Sequence, residues 1–147
     1  RVEARLARAA ELGAEPVPLE RGDPVAALRA RTGGWGPDVV LECVGHPTAF
    51  AQAIEAVRAG GTVASVGVYL EPAIEFPARE AFFKDLTLRM GICNARNYMT
   101  ALLGLVRLGK LQPARIVTHT LPLAEAPRGY EIFDRKAEGA IKVLLKP

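Results

Sequence analysis

DVVLECVGHPTAFAQAIEAVRAGGTVASVGV, residues 38–68, is the stretch that decides how this chain folds. Its opening, Asp38–Cys43, is rich in β-branched residues and apolar nearly throughout. A strand with one wet face alternates apolar and polar residues, so this run predicts a strand covered on both faces, as in a parallel sheet. Gly45-His46-Pro47 then turns the chain into a helix whose apolar positions are Phe50, Ala53, Ile54 and Val57, and Gly60-Gly61 stops it. Thr62–Val68 is again strand-like and nearly uncharged. Strand, helix and strand in so short a span form the crossover unit of a parallel sheet.

The same rhythm extends outward. Upstream, Leu6, Ala9, Ala10 and Leu12 sit at helical spacing before Gly13, and Glu15–Leu19 alternates as a short strand would. Asp23-Pro24 is an N-cap with proline in the first turn of a helix that runs to Gly33-Gly34. Downstream, residues 78–84 make a short helix and Leu86–Ile92 a further strand. Asn97 is the expected cap of a helix through Met99, Leu102, Leu103, Val106 and Leu108. Ile116–Leu121 and Ile141–Leu145 are expected strands, with a helix from Leu123 to Asp134 interrupted early by Pro127. A soft boundary falls near residues 92–96.

Composition narrows the classes. The chain has 147 residues, half of them apolar, which suffices for a core and argues against disorder. Lys and Arg number 19 against 16 Asp and Glu, with no basic stripe interleaved with aromatics, which argues against nucleic-acid binding. Uncharged runs are far too short to span a bilayer. Cys43 and Cys93 form no metal-ligand spacing and no disulfide framework, so a reducing cytoplasm is the default expectation. The chain opens at Arg1 inside a helical pattern, without a signal peptide, as expected of a chain whose beginning lies elsewhere.

Six short blocks, in order, carry a resemblance: ARAAELGAE (7–15), DVVLECVG (38–45), AIEAVRAGGTVASVGV (53–68), DLTLRMG (85–91), VTHTLPLAEA (117–126) and IKVLLKP (141–147). With them the chain resembles the C-terminal part of medium-chain dehydrogenase/reductases, in the zinc-containing alcohol dehydrogenase branch. Ala140-Ile141-Lys142 before the last strand and Glu42 favour that branch, and residues 89–99 are most similar to its polyol, formaldehyde and butanediol members. The resemblance implies an α/β fold holding part of a doubly wound, Rossmann-type parallel sheet. Residues 1–92 would be the rear of a dinucleotide-binding domain and 93–147 a segment returning to the catalytic domain. In the sheet order 3-2-1-4-5-6, the chain would supply the third strand (15–19) and the fourth to sixth. The first two would be absent, leaving a gap of roughly 14 Å at about 4.8 Å per strand. A self-contained sheet of adjacent strands would count against this reading.

The implied activity is hydride transfer between an alcohol, polyol or aldehyde and NAD or NADP, with zinc polarising the substrate oxygen in the full-length protein. The glycine-rich turn, the ribose-binding acid (expected just before Arg1) and the zinc ligands would all lie outside this chain. It therefore supplies no catalytic and no metal-ligating residue and is expected to be inactive alone. Cofactor-binding positions implied by the resemblance are Arg5 and the Val44-Gly45 pair on the adenosine side. Val66, Gly67 and Val68 fall beneath the nicotinamide, Gly91 and Cys93 at its carboxamide, and Lys142 at the pyrophosphate. Lysine there keeps the charge of an arginine but not its bidentate fork.

Each has a plainer alternative. Val44, Val66 and Val68 would be buried in any parallel sheet, Gly45 and Gly67 could be turn residues, and Arg5 could be a solvated helix residue. Cys43 reads as a small buried strand residue and Glu42 as a structural carboxylate. His46 borders the expected cleft, and the resemblance gives His119 no zinc role. Alternatives for the whole are a zinc-independent quinone or enoyl reductase, or a non-catalytic nucleotide-binding module. The edge strand Leu86–Ile92 is expected to pair with a second copy in a homodimer or homotetramer, with Leu86, Leu88 and Met90 near the axis.

Overall fold

The computed structural model of the protein describes residues 2–147, apart from the side chain of Arg21. In chain order the elements are α1 (Glu3–Glu11), α2 (Pro24–Arg31), β1 (Val39–Glu42), α3 (Pro47–Ala56), β2 (Thr62–Ser65), α4 (Ala78–Phe83), β3 (Thr87–Met90), α5 (Ala95–Arg107), β4 (His119–Pro122), α6 (Ala126–Asp134) and β5 (Val143–Lys146). They form two compact units, Leu19–Asn94 and the residues up to Pro18 with Ala95–Pro147. Among the described residues no helix is long and apolar enough to cross a membrane.

The first unit is a parallel sheet in the order β1-β2-β3, with Val39 opposite Thr62 and Thr62 opposite Thr87. α3 packs on one face through Phe50, Ala53 and Ile54, joined by Val57 just past its end and Val63 of β2. That helix was legible because its buried positions repeat at 3.6-residue spacing. Asp23 caps α2 as expected, its Oδ1 accepting from the Val25 amide at 2.9 Å. The C-terminus of α3 is capped from elsewhere in the chain. Lys84 Nζ donates to the carbonyls of Ile54 (2.7 Å), Glu55 (2.8 Å) and Val57 (3.2 Å) and pairs with Glu80 at 2.8 Å. A cation on the negative end of a helix, replacing water on three orphan carbonyls, stabilises it. Lys84→Ala is expected to lower the unfolding free energy by about 1–2 kcal/mol, seen as a lower Tm. An unchanged Tm would remove the cap from the stability account.

Several sequence expectations need correction. Residues 15–19 form no strand: Leu19 opens a short 3-10 turn, and the segment before it has no ladder. Pro16 and Pro18 lack N–H groups on the same side of an extended chain, so one edge cannot donate. The expected gap therefore has no strand on its far side, while β1, β2 and β3 lie adjacent, as expected of the fourth to sixth strands. β1 is covered on one face only, with Val39 54% and Leu41 70% exposed. Finally, α5 begins at Ala95, so Asn97 lies inside the helix and Asn94 precedes it.

In the second unit β4 and β5 pair in parallel, His119 opposite Val143, and α6 buries Gly129 and Ile132 against them. Pro127 sits in the first turn of α6, where no intrahelical N–H is required, so it starts the helix. Ile116, expected to open a strand, instead ends a 3-10 turn spanning Pro113–Ile116. α1 joins this unit through Arg5, whose Nη2 donates to Ala140 O at 3.4 Å while its guanidinium lies 5.7 Å from the Phe133 ring centre. Arg115 Nη2 also donates to Glu11 O at 3.0 Å.

Candidate functional site

Parallel strands end at one edge of their sheet, and ligands of open α/β sheets bind outside those carboxyl ends. Here the edge carries the segments that follow Glu42, Ser65 and Met90. The second segment leaves its ladder just past Val66: the Val66 amide donates in register to the Glu42 carbonyl at 2.9 Å, and the Gly67 amide doubles onto the same carbonyl at 3.3 Å. This ends β2 at Ser65, short of the expected Val68.

The two loops then touch backbone to backbone. A Cβ on Gly67 would fall on the backbone of Gly45, and a Cβ on Gly45, where φ is +76°, would fall on the backbone of Val68. Both positions require glycine because another peptide occupies the space a side chain would need.

Beneath them lies Glu42, 3% exposed. Its Oε1 accepts the amides of Val44 (2.7 Å) and Gly45 (2.8 Å). Its Oε2 accepts the hydroxyls of Ser65 (2.7 Å) and Tyr69 (2.8 Å). Burial raises the carboxyl pKa, but the Ser65 hydroxyl, the Gly45 amide, the Tyr69 phenol and the Val44 amide together more than offset it, so the pKa lies below the ordinary 4.5. Burial pushes Tyr69 above 10.0, with the Glu42 carboxylate adding to the rise against the Ser65 hydroxyl.

The sign of the pH dependence follows. A carboxyl depressed on folding contributes stability that is complete above its unfolded value of 4.5 and is lost as pH falls through the folded value. A phenol raised on folding contributes below 10.0 and loses that contribution as pH rises through the folded value. Glu42→Gln is therefore expected to flatten the part of the stability profile below pH 4.5 that this group contributes. Urea unfolding across that range, with an unaltered slope in the variant, would contradict it.

Around this buried anchor the side chains of Val44, Val66 and Val68 are 71%, 50% and 68% exposed. They are not the core strand residues that a fully covered sheet would make of them. Gly45 and Gly67 lie between them in sequence, so the two touching loops carry an exposed apolar shelf. Gly91 and Cys93 follow β3 at the same carboxyl end, Gly91 N donating to Ser65 O at 3.3 Å. Cys93 is exposed, and so is Cys43, which was expected to be buried. The alternation that exposes Leu41 does the same for Cys43.

Arg5 and Lys142 belong to the other unit. Arg5 is half-buried and committed to Ala140 and Phe133, with its Nε buried and unpartnered. Lys142 is exposed beside an apolar recess of about 240 Å³ with Tyr130, Phe133 and Leu145. His46 caps α3, its Nδ1 accepting from the Thr48 amide at 3.2 Å. His119 lies 3.0 Å from Thr118 Oγ1 and 3.8 Å from Glu138.

Sequence reasoning passed over Ser65 and Tyr69. The signal was the register of two similar runs, which sets Ser65 opposite Glu42. A carboxylate ending a buried strand needs donors, and the neighbouring strand end is where they must come from.

Against known proteins, residues 1–107 match the family model described as zinc-binding dehydrogenase. The chain belongs to the zinc-binding dehydrogenase family. It is 35% identical over 147 residues to the Mycobacterium tuberculosis protein named "Probable zinc-binding alcohol dehydrogenase Rv1895", covering 100% of this chain and 38% of that protein. Among solved structures it is similar to the alcohol dehydrogenase TADH from Thermus sp. ATN1. That match has a TM-score of 0.95 and 50% identity, and covers 100% of this chain and 42% of that one. A zinc-binding dehydrogenase structure from Sinorhizobium meliloti 1021, bound to NADP, matches with a TM-score of 0.82 and 27% identity, covering 100% of this chain and 44% of that one.

The chain thus spans about two fifths of the length of the zinc-binding dehydrogenases it matches. Its described residues do not fit a zinc site, since no group of three His, Cys, Asp or Glu side chains among them could hold a metal.

Proposed function

We propose that this chain is the rear wall of a dinucleotide cleft in an enzyme that moves hydride between an alcohol, polyol or aldehyde and NAD or NADP. The observation that carries the reading is the exposed shelf of Val44, Val66 and Val68 at the carboxyl ends of a parallel sheet. Exposed valines over a fixed backbone suit a flat, uncharged ring face, and such surfaces are left open when a ligand covers them. An apolar groove of about 200 Å³ reaching Val44 from Val25, Leu28 and Leu41 suits a nucleobase. The related zinc-binding dehydrogenase bound to NADP supports the cofactor class. Gly91 and Cys93 are assigned to the carboxamide. Lys142 is assigned to the pyrophosphate as a single charge, and Arg5 to the adenosine side once released from Ala140. Zinc assistance is assigned to the complete protein with ligands outside this chain, and none of the roles given to this chain's residues passes through it.

Two tests apply. The complete gene product is expected to bind NAD+ or NADP+ by calorimetry and to reduce it with simple alcohols or polyols, whereas the purified 147-residue chain is expected to turn over neither. Turnover by the short chain would refute the division of labour, and failure of the complete protein to bind either dinucleotide would refute the reading.

The same proposal includes a two-fold contact at β3. All four of its residues are exposed, and Leu88 and Met90 are 38% and 51% exposed. The amides of Thr87 and Gly91 face β2, donating to Gly61 O and Ser65 O, so the Leu88 amide points to the free edge. Leu88→Pro removes that donor while sparing the β2–β3 ladder, and is expected to shift the protein toward monomer in sedimentation. An unchanged assembly would move the contact elsewhere.

A further inference from the structure

The geometry points to Glu42 as a positioning residue that holds the dinucleotide shelf in shape from below, with no contact of its own to the cofactor. This rests on the proposed function and adds a residue to it.

The argument begins with cost. A carboxylate 3% exposed is expensive to bury, and an apolar residue would fill the same space without needing partners. Glu42 has no cation beside it among its hydrogen-bond partners. It is matched by two amides and two hydroxyls, which nearly saturate the lone pairs of its oxygens. Those four donors are not scattered. Val44 and Gly45 lie in the loop after β1, and Ser65 and Tyr69 bracket the loop after β2. Each oxygen serves one loop, so a single rigid carboxylate sets the distance between them.

The backbone of the same residue repeats the connection. Its carbonyl accepts from Val66 and Gly67, so both ends of Glu42 tie the second loop to the first strand. Tyr69 extends the anchor into the core, its ring meeting Phe50 edge-on with centroids 6.2 Å apart. The exposed valines are carried by the very residues tied down: Val44 donates to Oε1, Val66 to the carbonyl, and Val68 lies against Gly45. Without the carboxylate, the buried Ser65 hydroxyl and the part-buried Val44 amide, Gly45 amide and Tyr69 hydroxyl lose their shared acceptor, and the loops lose the group that joins them. A shelf displaced in this way no longer offers one flat surface to a ring.

The test is calorimetric titration of NAD+ and NADP+ into the complete gene product and its variants, with Tm recorded for each. Glu42→Ala is expected to weaken dinucleotide affinity by ~10–100-fold, the scale of a misplaced binding surface. Glu42→Gln is expected to stay within ~3-fold, because its oxygen still accepts both amides and its NH2 donates to hydroxyls that can accept. Lys84→Ala, which uncaps the opposite end of α3, is expected to lower Tm while leaving affinity within ~2-fold, since surface and core effects on separate sites are nearly independent. Should Glu42→Ala not fold, Ser65→Ala with Tyr69→Phe removes both donors of one oxygen and is expected to lose ~10-fold.

If Glu42→Ala binds like the parent, or if Lys84→Ala loses affinity in the same proportion to its Tm, the positioning role is overturned. If the parent protein binds neither dinucleotide, the proposed function falls first, and this inference falls with it.

Discussion

Gly67→Ala is expected to lower the unfolding free energy by about 3 kcal/mol or more, beyond the usual range for overpacking. The added methyl would land on the backbone nitrogen and Cα of Gly45 and within 2.8 Å of Glu42 Oε2. Side chains swing out of such a clash, but a backbone held by two hydrogen bonds to a buried carboxylate does not. Relief requires separating the loops, which strands the amides of Val44 and Gly45 as well. Gly91→Ala is the matched control, because nothing lies within 4 Å of its would-be Cβ. It is expected to change stability by no more than ~0.5 kcal/mol, as surface substitutions usually do. Urea unfolding of both variants measures the difference, and equal midpoints would mean that the loops do not meet as described.

Phe50→Ala is expected to cost about 3–5 kcal/mol, the range for removing a large buried aromatic side chain. Phe50 is 1% exposed and central to the helix–sheet core of Ile54, Val57 and Val63. Its ring also contacts Tyr69 at 6.2 Å and Phe76 at 6.3 Å. The cavity therefore opens on both flanks, and the neighbours on the sheet cannot collapse into it without distorting the ladder. Phe50→Leu keeps most of the volume and is expected to cost less than about 2 kcal/mol. Thermal unfolding of the pair separates cavity formation from the loss of ring contacts. A Phe50→Ala Tm close to the parent's would place the core elsewhere.

Residues 38–68 made the crossover unit legible without coordinates. β-branched runs mark its strands, a 3.6-residue repeat marks α3, and glycines close it at Gly60. These signals are local, set by backbone sterics and by which faces avoid water. The segment 15–19 and the start of α5 are less legible. There, two missing N–H donors in one case and the opening of the helix at Ala95, ahead of Asn97, in the other decide the outcome, and periodicity carries neither.

By itself, then, the sequence determined an α/β chain with parallel strands and the positions of most of its elements, and its resemblance implied Arg5, Val44, Gly45, Val66, Gly67, Val68, Gly91, Cys93 and Lys142 as cofactor positions. Only the tertiary structure decided why Gly45 and Gly67 are glycines, that the valines are exposed, and that Glu42, Ser65 and Tyr69 lock the loops together. It also decided that Arg5 is bound to Ala140 and Phe133. The physical reason is range. Periodicity reports neighbours a few residues apart, whereas a buried carboxylate is satisfied by donors 23 and 27 residues away, whose arrival depends on strand register.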